Sequence, residues 1–197
     1  MRIADLYNHL LEKHGRPQEQ WELWCKRPKT ANDRELVIIG AILTQRTNWK
    51  NVELAMKNLK AKKLDSMENI YRAGPQKLAA HIKPAGFYKQ KSRYLCNVAN
   101  FFVTNNIKNK NLPQLRKELL NVKGVGPETA DSILLYALDK PVFVIDEYTR
   151  RLVKKYGLSK NLSYEHLQCA FESKLERNHE LYQDLHALII IDGKKKT

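Results

Sequence analysis

Four close thiolates cannot be assembled from this sequence. Its 197 residues hold three cysteines, Cys25, Cys96 and Cys169, far apart and none in a CxxC pair. That excludes a zinc knuckle or a four-cysteine iron–sulfur cluster built from this chain. Scattered cysteines in odd number also argue for reduced thiols in a cytosolic compartment. The six histidines show no HExxH or other ligand spacing, so a metal-dependent hydrolase is not expected. Long apolar runs are missing too. The longest, Leu188 to Ile191 and its neighbours, falls far short of the ~20 residues that a membrane span needs. The N-terminus, MRIADLYNHLLEKH, sets Asp5 and Glu12 inside an amphipathic pattern, unlike a secretory signal.

Acidic residues are in deficit. Against 35 Lys+Arg there are 21 Asp+Glu, a formal charge of +14 and a sequence pI near 9.7. Such a charge favours phosphate backbones or anionic surfaces as partners. Hydrophobic content of 43% separates the chain from disordered basic tails, which lack apolar groups. At 23.0 kDa the folded chain should bury roughly 70% of its surface, as one large domain or two small lobes.

Helical periodicity dominates what remains. Ile3, Leu6, Tyr7, Leu10 and Leu11 share one helical face, as do Val52, Ala55, Met56 and Leu59, and Leu95, Val98, Ala99 and Phe102. Arg34–Leu43 is apolar enough to be a buried helix. Further helices are expected over about Pro113–Asn121, Pro127–Leu138, Asp146–Tyr156, Ser163–Leu175 and Glu180–Ile191. Pro141–Ile145 is the one strand-like segment, and a lone strand has no partner, so it reads as an extended connector. Breakers fall at Gly74–Pro75, Lys83–Gly86 and Gly124–Pro127. Lys194, Lys195 and Lys196 form a terminal basic run. The fold class expected is all-α.

The stretch Leu119–Arg151, LLNVKGVGPETADSILLYALDKPVFVIDEYTRR, carries the chemistry. A helix ends near Asn121, and the turn Lys123-Gly124-Val125-Gly126 follows. Two glycines one residue apart permit φ > 0 and a close backbone approach to another molecule. Pro127 suits the first position of the next helix. Free N–H groups at that helix start form an anion site, for which DNA phosphate is the natural ligand of so basic a chain; GxG also occurs in plain helix–turn–helix corners. After PVFVI, Asp146 stands at the N-cap of another helix, where N–H donors and the helix dipole hold a carboxylate ionised. Spacing alone does not separate a working carboxylate from an ordinary cap.

The run LNVKGVGPETADSILLYALDKPVFVIDEYTRRL resembles the helix–hairpin–helix plus aspartate signature of the endonuclease III, or HhH-GPD, superfamily of DNA glycosylases. GAILTQRTNW (Gly40–Trp49), IKPAGFYKQKSRYL (Ile82–Leu95) and HALIIIDGK (His186–Lys194) are similar to other parts of it, so the likeness touches about residues 30–194. It implies two all-α lobes. A six-helix barrel would span 30–138, with its helix–hairpin–helix at about 113–137, and a discontinuous second lobe would combine 1–29 and 139–197. Relatives that also cleave the backbone carry a lysine two residues after the hairpin's last glycine. Here that residue is Glu128, so the Schiff-base nucleophile is missing. The chain thus looks most like the monofunctional 3-methyladenine DNA glycosylase III branch. Many relatives add a four-cysteine cluster just after the helix matching Glu180–Ile191; this sequence reaches Thr197 where that loop begins, which fits either a cluster-free protein or a shortened chain.

The resemblance implies hydrolysis of the bond between a damaged base and deoxyribose, within base excision repair. Asp146 would stabilise the oxocarbenium-like sugar and act as general base toward the water that attacks C1′. The base must be flipped from double-stranded DNA. An alkylated purine such as 3-methyladenine is a cation, and an aromatic face favours it by roughly 0.5–2 kcal/mol. Trp49, Trp21 and Trp24 are candidates for that base pocket, although tryptophans in helical proteins are also core residues. Glu128 either lines the pocket or complements a helix dipole. Gln45 matches the position that enters the space left by the flipped base. Lys123, Gly124, Val125 and Gly126 would bind DNA, and Lys89, Lys91 and Arg93 are further candidates for phosphate contacts. Other lesions (uracil, mismatched thymine, 8-oxoguanine), a lyase using another lysine, and a non-enzymatic protein that reads DNA shape are the alternatives. No cofactor is expected beyond room for a monovalent cation at the hairpin. A monomer with no membrane partner is expected, cytoplasmic and, in a prokaryote, associated with the nucleoid.

Overall fold

The computed structural model describes residues 1–195; Lys196 and Thr197, which end the basic run and the expected second lobe, lie outside the described residues. Every regular element among the described residues is helical. In chain order they are α1 (Leu6–His14), α2 (Trp21–Trp24), α3 (Ala31–Leu43), α4 (Trp49–Ala61), α5 (Met67–His81), α6 (Tyr88–Thr104), α7 (Leu112–Leu120), α8 (Pro127–Ser132), α9 (Glu147–Lys155), α10 (Tyr164–Glu172) and α11 (His179–Lys194). The chain divides into two compact units, Lys29–Ile133 and Met1–Pro28 with Leu134 onward.

The Lys29–Ile133 unit holds the six helices α3 to α8. Local capping chemistry starts four of them. The Thr30 hydroxyl and the Asp33 carboxylate form a reciprocal capping box on α3, and Asn111 with Gln114 does the same on α7. Asn48 caps α4 and Ser66 caps α5 through single side-chain acceptors. Such a cap contributes typically about 1 kcal/mol. Helix α3 buries Val37 to Leu43 without a break, as an all-round apolar helix must. Each of its Val, Ile and Leu side chains contributes roughly 1.5–3 kcal/mol by leaving water. Helix α5 is broken at Gly74, whose φ of 73° and ψ of 166° lie outside the helical region.

The other unit is built from both chain ends. Helix α1 packs on α11, and α11 on α9. Asp192 near the end of α11 gathers Lys13 Nζ at 2.6 Å, His14 Nε2 at 2.8 Å and Lys155 Nζ at 3.6 Å. Burial raises its carboxyl pKa, but the hydrogen bonds from Lys13 and His14 and the charges of Lys13 and Lys155 outweigh that and bring it down to about 2. Arg27 adds a second tie, donating to Asp184 Oδ1 at 2.7 Å and to the Glu180 carbonyl at 2.9 Å.

Helices α2 and α5 stand where the sequence reading placed no helix, and α8 departs from it as well. Instead of running to Leu138, α8 stops at Ser132 and gives way to a π-helical turn, Ile133–Ala137. The chain passes from one unit to the other inside this turn, at 133/134 rather than 138/139. No glycine or proline stands in ILLYA to announce it. Beyond it, Asp139 has a φ of 51°, residues 139–146 carry no regular secondary structure, and Val142 N–H donates to the Lys140 carbonyl at 2.9 Å in a tight turn about Pro141.

Candidate active site and DNA-binding hairpin

The hairpin lies in the Lys29–Ile133 unit. Val125 N–H donates to the Val122 carbonyl at 3.0 Å to close the turn, and the Val125 side chain is buried. Val125 therefore anchors the hairpin from inside, and any contact it makes with DNA must come from its backbone. The two glycines differ. Gly124 has a φ of 103°, and a Cβ placed on it would fall 2.2 to 2.7 Å from the Tyr94 ring. Gly126 is extended (φ −94°, ψ 179°) and a Cβ there would meet nothing within 4 Å. Both glycines permit positive φ, and only Gly124 uses it, in the region that favours glycine. Among the described residues no acceptor meets the N–H of Gly124 or of Gly126.

Gln45 braces this turn from the end of α3. Its Nε2 donates to the Gly124 carbonyl at 3.0 Å and to the Thr129 hydroxyl at 3.1 Å. Asn97 Nδ2 donates to the Lys123 carbonyl at 3.0 Å. The carbonyls of Val122, Lys123 and Gly124 each accept a hydrogen bond from the protein, from Val125 N–H, Asn97 Nδ2 and Gln45 Nε2 in turn.

Gln45, Gly124, Gly126 and the exposed Glu128 line a concavity of about 470 Å³ together with Arg46, Phe87 and Tyr94. Phe87 is 58% exposed and left-handed (φ 45°), and Arg46 is exposed with a φ of 54°. Strained non-glycine residues of this kind collect at functional sites. The sequence reading missed both, although GFYK after a breaker and QRT at a helix end were available signals. Lys89, Arg93 and Lys123 are exposed, as phosphate contacts must be. Lys91 is not. At 2% exposure its Nζ donates to the Leu43 carbonyl at 2.8 Å and to the Ala85 carbonyl at 2.7 Å. Burial pushes its pKa down to about 8. Lys91 closes helix ends and cannot reach a phosphate.

Asp146 lies in the unit of the two chain ends, at the N-cap of α9. Its Oδ1 accepts from Thr149 N–H at 2.7 Å and from the Thr149 hydroxyl at 2.9 Å. Its Oδ2 faces His186 Nε2 at 3.6 Å, an ion-pair separation longer than a hydrogen bond. Asp146 is 7% exposed. Burial works to raise its pKa, yet His186 and the two Thr149 bonds more than offset it and leave the carboxyl below its ordinary range. A buried carboxylate held charged can meet a developing positive centre with little reorganisation.

Trp21 and Trp24 are 6% and 7% exposed. Trp24 packs edge-on to Tyr136 at 5.1 Å, and Trp21 lies 6.0 Å from the same ring and edge-on to His186 at 6.5 Å. The structure places both in an aromatic core rather than open to a stacked base, each ring pair adding roughly 0.5–1.5 kcal/mol beyond area burial. Trp49 opens α4 half-buried, in the unit that holds Gln45 and the hairpin.

No cluster of three or more His, Cys, Asp or Glu among the described residues could hold a metal ion, and three cysteines do not fit a four-thiolate cluster. No helix among the described residues is long and apolar enough to cross a membrane.

A glycine hairpin between two helices, then a connector without regular structure, then a buried capping aspartate: this order defines the helix–hairpin–helix class of DNA repair proteins. The chain matches the model of the HhH-GPD superfamily base excision DNA repair proteins over residues 39–177, and it belongs to that superfamily. It is 41% identical over 201 residues to a Methanocaldococcus jannaschii protein assigned provisionally to the DNA repair glycosylases, covering 98% of this chain and 87% of that one. Endonuclease III of Thermotoga maritima is 29% identical over 159 residues, covering 81% and 72%. The solved structure of H. pylori 3-methyladenine DNA glycosylase (MagIII) bound to 1,N6-ethenoadenine is similar at a TM-score of 0.81 and 28% identity, covering 100% and 99%. The chain is a DNA glycosylase of base excision repair, and the alternative of a non-enzymatic shape reader falls with that.

Proposed function

We propose that this glycosylase is monofunctional and releases cationic alkylated purines, 3-methyladenine first among them, from double-stranded DNA. The observation that carries the reading is the state of Asp146: a buried carboxylate kept ionised by Thr149 and His186. A leaving base that already bears positive charge needs no acid. It needs an anion beside the sugar as the glycosidic electron pair departs with the base. Asp146 supplies that anion, then takes a proton from the water whose oxygen bonds to C1′.

Glu128 supports the monofunctional part. A carboxylate at the position where lyase-active relatives carry lysine cannot form an imine with the opened sugar. The likeness to the H. pylori enzyme supports the substrate class, and its bound 1,N6-ethenoadenine adds that modified purine to the candidates. Gly124 and Gly126 offer backbone N–H groups to phosphate, which carries no base identity.

A panel of duplexes with single lesions (3-methyladenine, 1,N6-ethenoadenine, uracil, mismatched thymine, 8-oxoguanine) tests this. Abasic sites should arise at the alkylated purine and break only after alkali. Borohydride should trap no covalent protein–DNA adduct. Strand scission without alkali, with a reducible adduct, would overturn the monofunctional reading. Release of uracil alone would overturn the substrate class.

A further inference from the structure

His186 was singled out by nothing in its own sequence context beyond its place in an apolar helical run, yet it faces Asp146 from inside the same unit. Its imidazole is 4% exposed. Nδ1 lies 2.8 Å from the hydroxyl of Tyr136, itself fully buried in the π-helical turn. Trp21 and Phe143 meet the ring edge-on, at 6.5 and 6.3 Å, so it has little freedom to turn. Nε2 makes no hydrogen bond among the described residues, and the polar atom it faces is Asp146 Oδ2 at 3.6 Å.

The proton arrangement follows. Burial drives the Tyr136 pKa well above its ordinary value, so the hydroxyl keeps its hydrogen. If it donates to Nδ1, the neutral ring carries its own hydrogen on Nε2, aimed at the carboxylate. If it donates instead to the Gln183 carbonyl at 3.1 Å, Nδ1 must donate to the tyrosine oxygen. Nε2 then meets the carboxylate through a lone pair unless the ring holds both protons. The first arrangement is the one in which an ionised Asp146 meets the N–H of a neutral ring.

We infer that His186 is a positioning residue for base excision, fixed by Tyr136 so that Nε2–H holds the Asp146 carboxylate charged and oriented. This rests on the reading of Asp146 as the carboxylate that meets the sugar. The other charged or titratable groups that bear on the pair are Lys194, also on α11, whose charge Asp146 favours, and, around Tyr136, Cys25, Arg27 and Asp184. Thr149 engages only Oδ1, so its two bonds leave the Oδ2 side to His186. Without the imidazole, burial would dominate and the carboxyl would titrate upward, toward the range of unpaired buried acids.

The test is the pH dependence of single-turnover excision from a 3-methyladenine duplex between pH 5 and 8, for the full chain and for His186→Phe, His186→Gln, Tyr136→Phe and Asp146→Asn. The unaltered protein should keep its rate down to pH 5. His186→Phe keeps the ring shape and leaves Tyr136 its Gln183 partner. Its rate should fall about fivefold or more from pH 8 to pH 5.5, the acid limb having moved up with the carboxylate. His186→Gln restores an amide donor and should lie between the two. Should His186→Phe not fold, Tyr136→Phe, which removes only the hydroxyl that orients the ring, should show a smaller shift in the same direction.

A rate lowered equally at every pH, with the acid limb unmoved in all foldable variants, would overturn the role of His186. That outcome with an inactive Asp146→Asn leaves the glycosylase chemistry standing. Full activity of Asp146→Asn would overturn the reading of Asp146 itself.

Discussion

Gln45 donates its side-chain amide to the carbonyl of Gly124, 79 positions along the chain, at 3.0 Å. A residue expected to fill the space of a flipped base is thus bonded to the hairpin in the protein alone. Gln45→Ala should loosen the hairpin by about 1 kcal/mol per lost bond. Affinity for lesion-bearing and undamaged duplexes should then fall together, by roughly fivefold, in salt-controlled titrations. A loss confined to lesion DNA would assign Gln45 to the flipped-base space instead.

The two hairpin glycines should part company. Gly124→Ala forces a methyl group into the Tyr94 ring at a positive φ. A strained residue of this kind costs on the order of 1–3 kcal/mol before the clash is counted. Its Tm should drop by about 5 °C or more for a chain of this size. Gly126→Ala should melt within ~2 °C of the parent. Equal thermal losses in the two variants would show that the turn does not use Gly124 as described.

Asp146→Asn keeps an N-cap acceptor of equal quality, so the fold and Tm should survive. Base release should slow by at least ~100-fold, the scale of one general base. Binding to lesion DNA should remain within a few-fold. Rapid-quench measurement of base release at saturating enzyme separates the two effects.

Lys91→Met removes the donor to two carbonyls at helix ends and should destabilise the protein by roughly 1–3 kcal/mol for each carbonyl left unpaired. The salt dependence of DNA binding should stay unchanged, since no phosphate contact is lost. A pH signature accompanies this. The amine titrates near 10.5 when unfolded and near 8 when folded. Between those values the unfolded chain holds a proton that the folded chain has released, so this residue's contribution to stability rises with pH there. Below pH 8 both states are protonated and the burial cost stands in full. The gap between parent and Lys91→Met in urea unfolding should therefore widen from pH 8 to pH 10. A constant gap would mean that the amine stays charged.

Features that depend on near neighbours are legible in the sequence. The helix start at Asp146 rests on a side chain that reaches three residues ahead, and Pro127 marks a helix start by its own geometry. Features that depend on distant partners are not. That Gly124 has no room for a side chain is decided by Tyr94, 30 positions away. Whether Lys91 meets solvent is decided by the carbonyl of Leu43. Trp21 and Trp24 carry the same chemistry whether they stack on a base or fill a core, and only Tyr136 and His186, far along the chain, decide which. The π-helical turn that brings Tyr136 to His186 has no compositional marker.

The tie between Asp192 and the first helix has a consequence during synthesis. The ribosome makes Lys13 and His14 179 and 178 positions before the carboxylate that holds them. At about 5–20 residues per second, that interval is on the order of ten seconds or more. Throughout it the apolar face of Leu6 and Leu10 has no α11 to cover it, whereas every contact internal to Lys29–Ile133 becomes available once residue 133 is made. The nascent chain therefore carries α1 exposed and adhesive while a complete unit folds after it, and the last turn of α11 is the event that ends that exposure.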